Sequence, residues 1–207
     1  MPRVLCDKCA RPESACICQF FIATQNTTPV VILRHPKERL HAKNTTPLLE
    51  HSLSQCMVIE GEDFSDNDIL NQLLTDDKKH CLLLYPSDQA IELAVYAKQP
   101  QDSQLPQSCK ETSTASKQTV LILLDATWKK AYRMYMLSKN LQAIAHVALP
   151  ENIQGEYAIR KTQKPNALST FEAAVHALTI IEGCESRYKK LRESFIRFNQ
   201  HQLSYRR

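Results

Sequence analysis

The sequence predicts an α/β domain with a mostly parallel sheet flanked by helices, and three observations lead there. Short apolar runs alternate with stretches of helical spacing along most of the chain, the pattern of strands covered by crossover helices. The chain has 207 residues, 43% of them hydrophobic; a chain this long buries roughly 70% of its unfolded surface and needs no disulfides to hold one core. It contains only three glycines, Gly61, Gly155 and Gly183. Neither GxGxxG nor GxxxxGKS/T can be written with them, so a nucleotide-like ligand would be held without a glycine-rich phosphate cradle.

The elements follow in order. Pro29 to Leu33 (PVVIL) reads as a buried strand, followed by Arg34-His35-Pro36 and a helix expected over 37–53. Cys56 to Glu60 is a short strand. Glu60 to Asp77 holds seven acidic and no basic residues, with helical spacing at Ile69, Leu70, Leu73 and Leu74. Cys81 to Tyr85 is an apolar strand stopped by Pro86. Residues 98–119 are almost wholly polar and low in complexity, the composition of a flexible insert. Val120 to Leu124 (VLILL) is the clearest strand; it runs into Asp125 and a helix over 126–139. Ile144 to Leu149 is a further strand, stopped by Pro150. Gly155 turns the chain, Ser169 opens a helix that Gly183 closes, and a last helix covers 185–203. Three parts are expected: an N-terminal metal-binding segment (1–24), an α/β catalytic domain (25–185) carrying the insert, and a basic C-terminal helix (186–207).

Net charge is +4, which permits nucleic acid without demanding it. The longest purely aliphatic run, Val120 to Leu124, is far short of the roughly 18 residues of a membrane span, and the first residues have no apolar core of secretory length. A cytoplasmic protein without membrane contact is expected. In that compartment thiols stay reduced, so clustered cysteines suggest metal. Cys6-x2-Cys9-x6-Cys16-x-Cys18 combines a CxxC turn with an extended CxC pair, and four thiolates make a closed tetrahedral Zn²⁺ site of structural type. The segment has too few apolar residues to fold alone, so the metal would supply its folding energy. Cys56, Cys81 and Cys184 lie in or beside apolar stretches and read as core residues; Cys109 lies in the insert.

Asp125 ends a buried strand and begins a helix. Ligands of open α/β sheets sit outside the carboxyl ends of strands, where a catalytic carboxylate belongs; Asp is equally a preferred helix N-cap. Trp128, the only tryptophan, lies one turn before Tyr132 and two before Tyr135, as core packing or as a platform for a flat ring. Lys129, Lys130 and Arg133 face phosphate or are ordinary solvated charges.

Asp125-x-Thr127-Trp128 after a hydrophobic strand resembles the signature of the DTW-domain proteins. His35-Pro36-x-Glu38 with Asn44-Thr45 resembles that family's first strand–helix motif. Leu84-Tyr85-Pro86-Ser87 resembles a segment ending a middle strand. Leu168-Ser169-Thr170-x-Glu172-Ala173 resembles the C-terminal motif, and the four-cysteine head resembles the bacterial N-terminus. The resemblance covers most of residues 1–185 apart from the insert. It implies a tRNA-uridine aminocarboxypropyltransferase, which moves the 3-amino-3-carboxypropyl group of S-adenosylmethionine to N3 of a tRNA uridine, here one in the variable loop. It also implies distant similarity to the SPOUT methyltransferases, whose C-terminal part is knotted. A SPOUT-type tRNA methyltransferase and a non-catalytic zinc-containing RNA-binding module are the alternatives.

In that reading Asp125 is general base or orienting group, Thr127 holds the loop and Trp128 walls the pocket. Pro86, Ser87, Leu124, Leu149, Ser169, Thr170 and Glu172 surround the cofactor. Taken alone, Ser169 and Glu172 read as a capping box, and a helix start so built also favours an anion. His35 and Glu38 read as structural or chemical. Lys129, Arg133, Arg160, Lys161, Lys189 and Lys190 grip RNA. Residues 187–207 contain seven Lys or Arg against Glu193, with Tyr188, Phe195, Phe198 and Tyr205 interleaved; this suits phosphates and stacked bases, or an amphipathic helix with an aromatic core face. The acidic stretch 60–77 is expected to face away from RNA. The sequence leaves the oligomeric state open and leans to a monomer.

Overall fold

Six strands run parallel in the order β2-β1-β5-β3-β6-β4. They are β1 (Val30–Arg34), β2 (Cys56–Glu60), β3 (Lys79–Leu84), β4 (Ile91–Glu92), β5 (Gln118–Asp125) and β6 (Ala145–Ala148). The helices are α1 (Thr46–Glu50), α2 (Asp68–Thr75), α3 (Leu93–Tyr96), α4 (Trp128–Leu137), α5 (Lys139–Gln142), α6 (Thr170–Glu182) and α7 (Glu185–Ser204). The computed structural model describes residues 4–9, 11–39, 41, 44–98, 117–153, 155 and 168–204. Most of the insert, Cys109, Arg160, Lys161 and Tyr205 lie outside them. So does the path from 156 to 167, on which the knotted topology depends.

The sheet is buried on both faces, which is why its central strands are apolar throughout. Val30, Ile32, Leu121 and Leu123 face one core, shared with α1, α6 and α7; Val31, Leu33, Val120 and Ile122 face the other, shared with α2, α4 and α5. The successive side chains of β1 and β5 point to opposite layers, as a period of two requires.

One expected helix differs. In place of one helix over 37–53 there is a 3-10 turn, Pro36–Glu38, and then the short α1. Pro47 carries no N–H and belongs at a helix start, not in its middle. Asn44 supplies the break: its Nδ2 donates to Glu38 O, and its Oδ1 accepts from Thr46 N, both at 2.8 Å. The helix expected over 126–139 is α4, and the short α5 follows it directly. Ser138 leaves the helical conformation, and its buried Oγ accepts the Phe64 N–H. The short β4 and α3 lacked a periodic signal long enough to read.

The flanking segments share the main core. Ile17 is fully buried and Phe20 nearly so; the Phe20 ring meets Phe198 edge-on at 5.7 Å, and Ser194 Oγ donates to Phe20 O. Tyr188, Phe195 and Phe198 of α7 are buried at 0–3% exposure. These rings are core, and they are not available for stacking with bases. Cys56 and Cys81 are enclosed thiols, with burial pushing Cys56 up to about 12. Cys184 departs from the core reading: it is half-buried in the turn between α6 and α7, beside Ser186. Among the described residues no helix is long and apolar enough to cross a membrane.

Gly183 ends α6 at φ +60°, a left-handed conformation that costs an L side chain about 1 kcal/mol. A Cβ there would meet open space, so the cost is conformational rather than steric. Gly183→Ala is expected to lower stability by about 1 kcal/mol in urea unfolding, with the slope of the transition unchanged.

Candidate functional site

In a parallel sheet all carboxyl ends lie along one edge. Here β3 ends at Leu84 and passes into Tyr85-Pro86, β6 ends at Ala148 before Leu149-Pro150, and β5 ends at Asp125. Neither proline can continue a ladder, so the two chains leave the sheet side by side. Between them opens a cavity of about 370 Å³, closed by Trp128 and Ala131 of α4 and by Leu168, Ser169, Thr170 and Ala173 at the start of α6. Its volume is that of a small-molecule site (roughly 300–1,000 Å³). The lining is mostly apolar, with Glu151, Ser169 and Thr170 among its polar residues.

Asp125 stands beside this cavity, buried at 7% exposure. Its Oδ1 accepts from Thr170 Oγ1 at 2.7 Å, and its Oδ2 from Thr46 Oγ1 at 2.6 Å. Its carbonyl accepts the His35 N–H, and in the sheet it lies level with Arg34. Burial pushes its carboxyl above the ordinary range; the two hydroxyls oppose that rise, and Glu38 adds to it. Asp125 is therefore not the helix N-cap. Thr127 holds that position, exposed and without a side-chain cap bond. Thr46 was missed from the sequence: it lies 79 positions from its partner, directly after the Asn44-Thr45 pair.

The other predicted residues fall into two groups. Pro86, Leu124, Trp128, Leu149, Ser169 and Thr170 all line the cavity. Ser87 and Glu172 stand behind it. Ser87 Oγ bonds His146 Nδ1 at 2.7 Å, while His146 Nε2 meets Leu141 O. Glu172 turns back into the capping box, its Oε2 accepting from both the N–H and the hydroxyl of Ser169 at 2.7 Å. Around the site Lys130 pairs with Glu38 at 2.6 Å and Arg133 with Glu62 at 2.8 Å. Glu62 belongs to the acidic stretch, which thus reaches α4. Lys129, Lys189 and Lys190 are exposed.

The four N-terminal thiols converge as their spacing requires. Cys6 Sγ lies 3.6 Å from those of Cys16 and Cys18, and Cys9 Sγ 3.9 Å from Cys16; all four lie within 4.8 Å of one another. Bonds of about 2.3 Å in a tetrahedron set sulfurs about 3.8 Å apart, so the group could hold a metal ion. The backbone amides of Cys9 and Lys8 lower the Cys6 thiol to about 6, while burial and its thiol neighbours push Cys18 up.

A parallel sheet whose strand ends and capped helix enclose an apolar cavity beside a buried carboxylate defines an α/β protein with a cavity at the sheet's carboxyl edge. The chain belongs to the DTW domain family, whose model matches residues 3–203. It is 30% identical over 181 residues to tRNA-uridine aminocarboxypropyltransferase 2 of Macaca fascicularis, covering 86% of this chain and 56% of that protein. Against the protein of the same name from Drosophila melanogaster it is 29% identical over 199 residues, covering 93% and 70%. A 53-residue stretch, 25% of this chain and 20% of the other, is 45% identical to tRNA-uridine aminocarboxypropyltransferase A of Arabidopsis thaliana. The chain spans little more than half the length of the Macaca relative. No solved structure matches it.

The Asp125 geometry has a pH signature. A carboxyl whose pKa is raised by folding favours the folded state below the ordinary Asp range, and that contribution is lost as pH rises through the raised value. Asp125→Asn removes the titration. Its thermal stability relative to wild type is expected to improve as pH rises from about 4 to 8; a flat or opposite trend would contradict the burial argument.

Proposed function

We propose that this chain transfers the 3-amino-3-carboxypropyl group of S-adenosylmethionine to N3 of a uridine in tRNA. The observation that carries the reading is the apolar cavity beside Asp125, in a chain of the DTW family whose relatives bear that enzyme name. The residues suit the donor. The strand-end backbone at Leu84–Pro86 and Leu149–Pro150 can flank a flat adenine, with Trp128 as a wall. The start of α6, a 13-residue helix, presents the positive end of its dipole to a carboxylate, and the Thr170 hydroxyl oxygen can accept from a ribose hydroxyl. The donor has no phosphate, and the chain accordingly has no glycine loop.

The sulfonium of the donor activates the carbons bonded to it. A bond from N3 to the aminocarboxypropyl carbon forms as that carbon leaves sulfur, and the N3 proton is released. Which carbon meets N3 is a matter of positioning. Asp125 suits an orienting role better than that of a base, because both its oxygens already accept hydroxyl hydrogen bonds. Through them it fixes α1 and α6 against the end of β5. Lys129, Lys189 and Lys190 are available to RNA phosphates, Arg133 would exchange Glu62 for one, and Arg160 and Lys161 precede the α6 motif. Such a reaction belongs in the cytoplasm, with its tRNA.

Purified protein, unmodified tRNA and S-adenosylmethionine, followed by nucleoside mass spectrometry, should yield aminocarboxypropyluridine. A methyl increment instead would make the chain a methyltransferase, and tRNA binding without donor binding would make it a non-catalytic module. Folded Asp125→Asn should lose about a hundredfold in rate, the scale of a misplaced reacting group; near-normal modification would remove Asp125 from the mechanism.

We further assign zinc to the Cys6, Cys9, Cys16 and Cys18 thiolates, as a structural ion. Elemental analysis should find about one zinc per chain, since four thiolates fill a tetrahedral site. Chelation should lower the melting temperature, because the segment carries Ile17 and Phe20 into the core. A chain that melts identically with and without metal would count against the assignment.

A further inference from the structure

The molecule has a second depression. The apolar cavity opens toward β3 and β6, whereas this groove, about 830 Å³, opens at the end of β1. One wall is the cysteine segment, with Lys8 and Arg11; the other is the end of β1 and the following loop, with Arg34, Arg39 and His41. Glu50 is the acidic residue among its lining. Asp125 is linked to residues near both: Thr170, bonded to Oδ1, lines the cavity, and Thr46, bonded to Oδ2, directly precedes Pro47, which lines the groove.

We infer that this groove receives the phosphodiester backbone of the RNA, from which the target uridine reaches over the strand ends to the cavity. The inference rests on the transferase reading above and adds where the acceptor lies. Four Lys and Arg against one carboxylate make a surface complementary to a polyanion. Glu60 offsets part of that charge, at 2.5 Å from Arg34 and 3.7 Å from Arg39, yet the Arg39 side chain stays 65% exposed. His51, stacked on Phe21 at 4.7 Å, also lines the groove and offers the flat kind of ring on which unpaired bases rest. The ion that folds the cysteine segment would thereby build one wall of the RNA site. On α7 the aromatic rings are internal, and Lys189 lies about 20 Å along the helix from Gln202, the α7 residue that borders the groove.

The experiment is tRNA binding across a potassium chloride series, with S-adenosylmethionine binding and metal content measured on each variant. Lys8→Ala and Arg39→Ala should each weaken tRNA binding several-fold. Each should flatten the slope of log affinity against log salt by about 1, the mark of one lost phosphate contact, with donor affinity unchanged. Arg39→Ala stands alone if Lys8→Ala disturbs the thiolates. If wild type binds tRNA and Arg39→Ala matches it in affinity and slope, the groove is not the RNA site, while the transferase reading stands. A loss confined to Lys189→Ala/Lys190→Ala likewise excludes the groove and leaves the transferase reading intact. If wild type binds no tRNA, both readings fall together.

Discussion

The carboxylate of Asp125, held between the hydroxyls of Thr46 and Thr170, ties the molecule together at one point. β5 ends there, and α1 and α6 reach it from different parts of the chain. The arrangement costs stability, since burial disfavours a carboxylate charge, and each hydroxyl recovers only part of the lost hydration. What it contributes is position. Both hydroxyls are side-chain donors, so the geometry holds only while both elements stay docked against the sheet edge.

Around it the site uses the ends of elements rather than a dedicated loop. Pro86 and Pro150 terminate ladders and turn two strands outward. Ser169 and Glu172 satisfy each other at the start of α6, which leaves the first turn ordered before any ligand arrives. Glu172 serves that cap rather than the cavity. Two tasks thus divide between neighbours: Glu172 holds the backbone and Thr170 holds Asp125.

The N-terminal and C-terminal segments show how far pattern reading reaches. The cysteine spacing was legible because a CxxC turn and a CxC pair constrain thiols over a few residues, and the four sulfurs do converge. The rings of α7 were ambiguous in sequence, because buried and base-stacking aromatics recur at the same helical spacing. Packing resolves them: Tyr188 and Phe198 are fully enclosed, and Phe195 stacks on Phe171 at 4.2 Å. Docking of Phe20 on α7 joins residues some 180 positions apart, which no local signal encodes.

By itself the sequence determined what depends on neighbours along the chain. β1, β2, β3, β5 and β6 were readable as short apolar runs, and the α6 capping box and its Gly183 terminus follow from side chains within one turn. Of the residues it assigned to one site, Pro86, Leu124, Trp128, Leu149, Ser169 and Thr170 do line one cavity, while Ser87 and Glu172 do not. Tertiary structure decided the rest. Asn44 and Pro47 divided what helical spacing joined over 37–53, and Ser138 ended α4 where its hydroxyl accepts the Phe64 N–H. The strand order brought Arg34 level with Asp125, and Thr46 became the second donor to that carboxylate. Contacts across 79 residues leave no periodic trace, because they are fixed by the parallel register of the sheet and the packing of helices on its two faces.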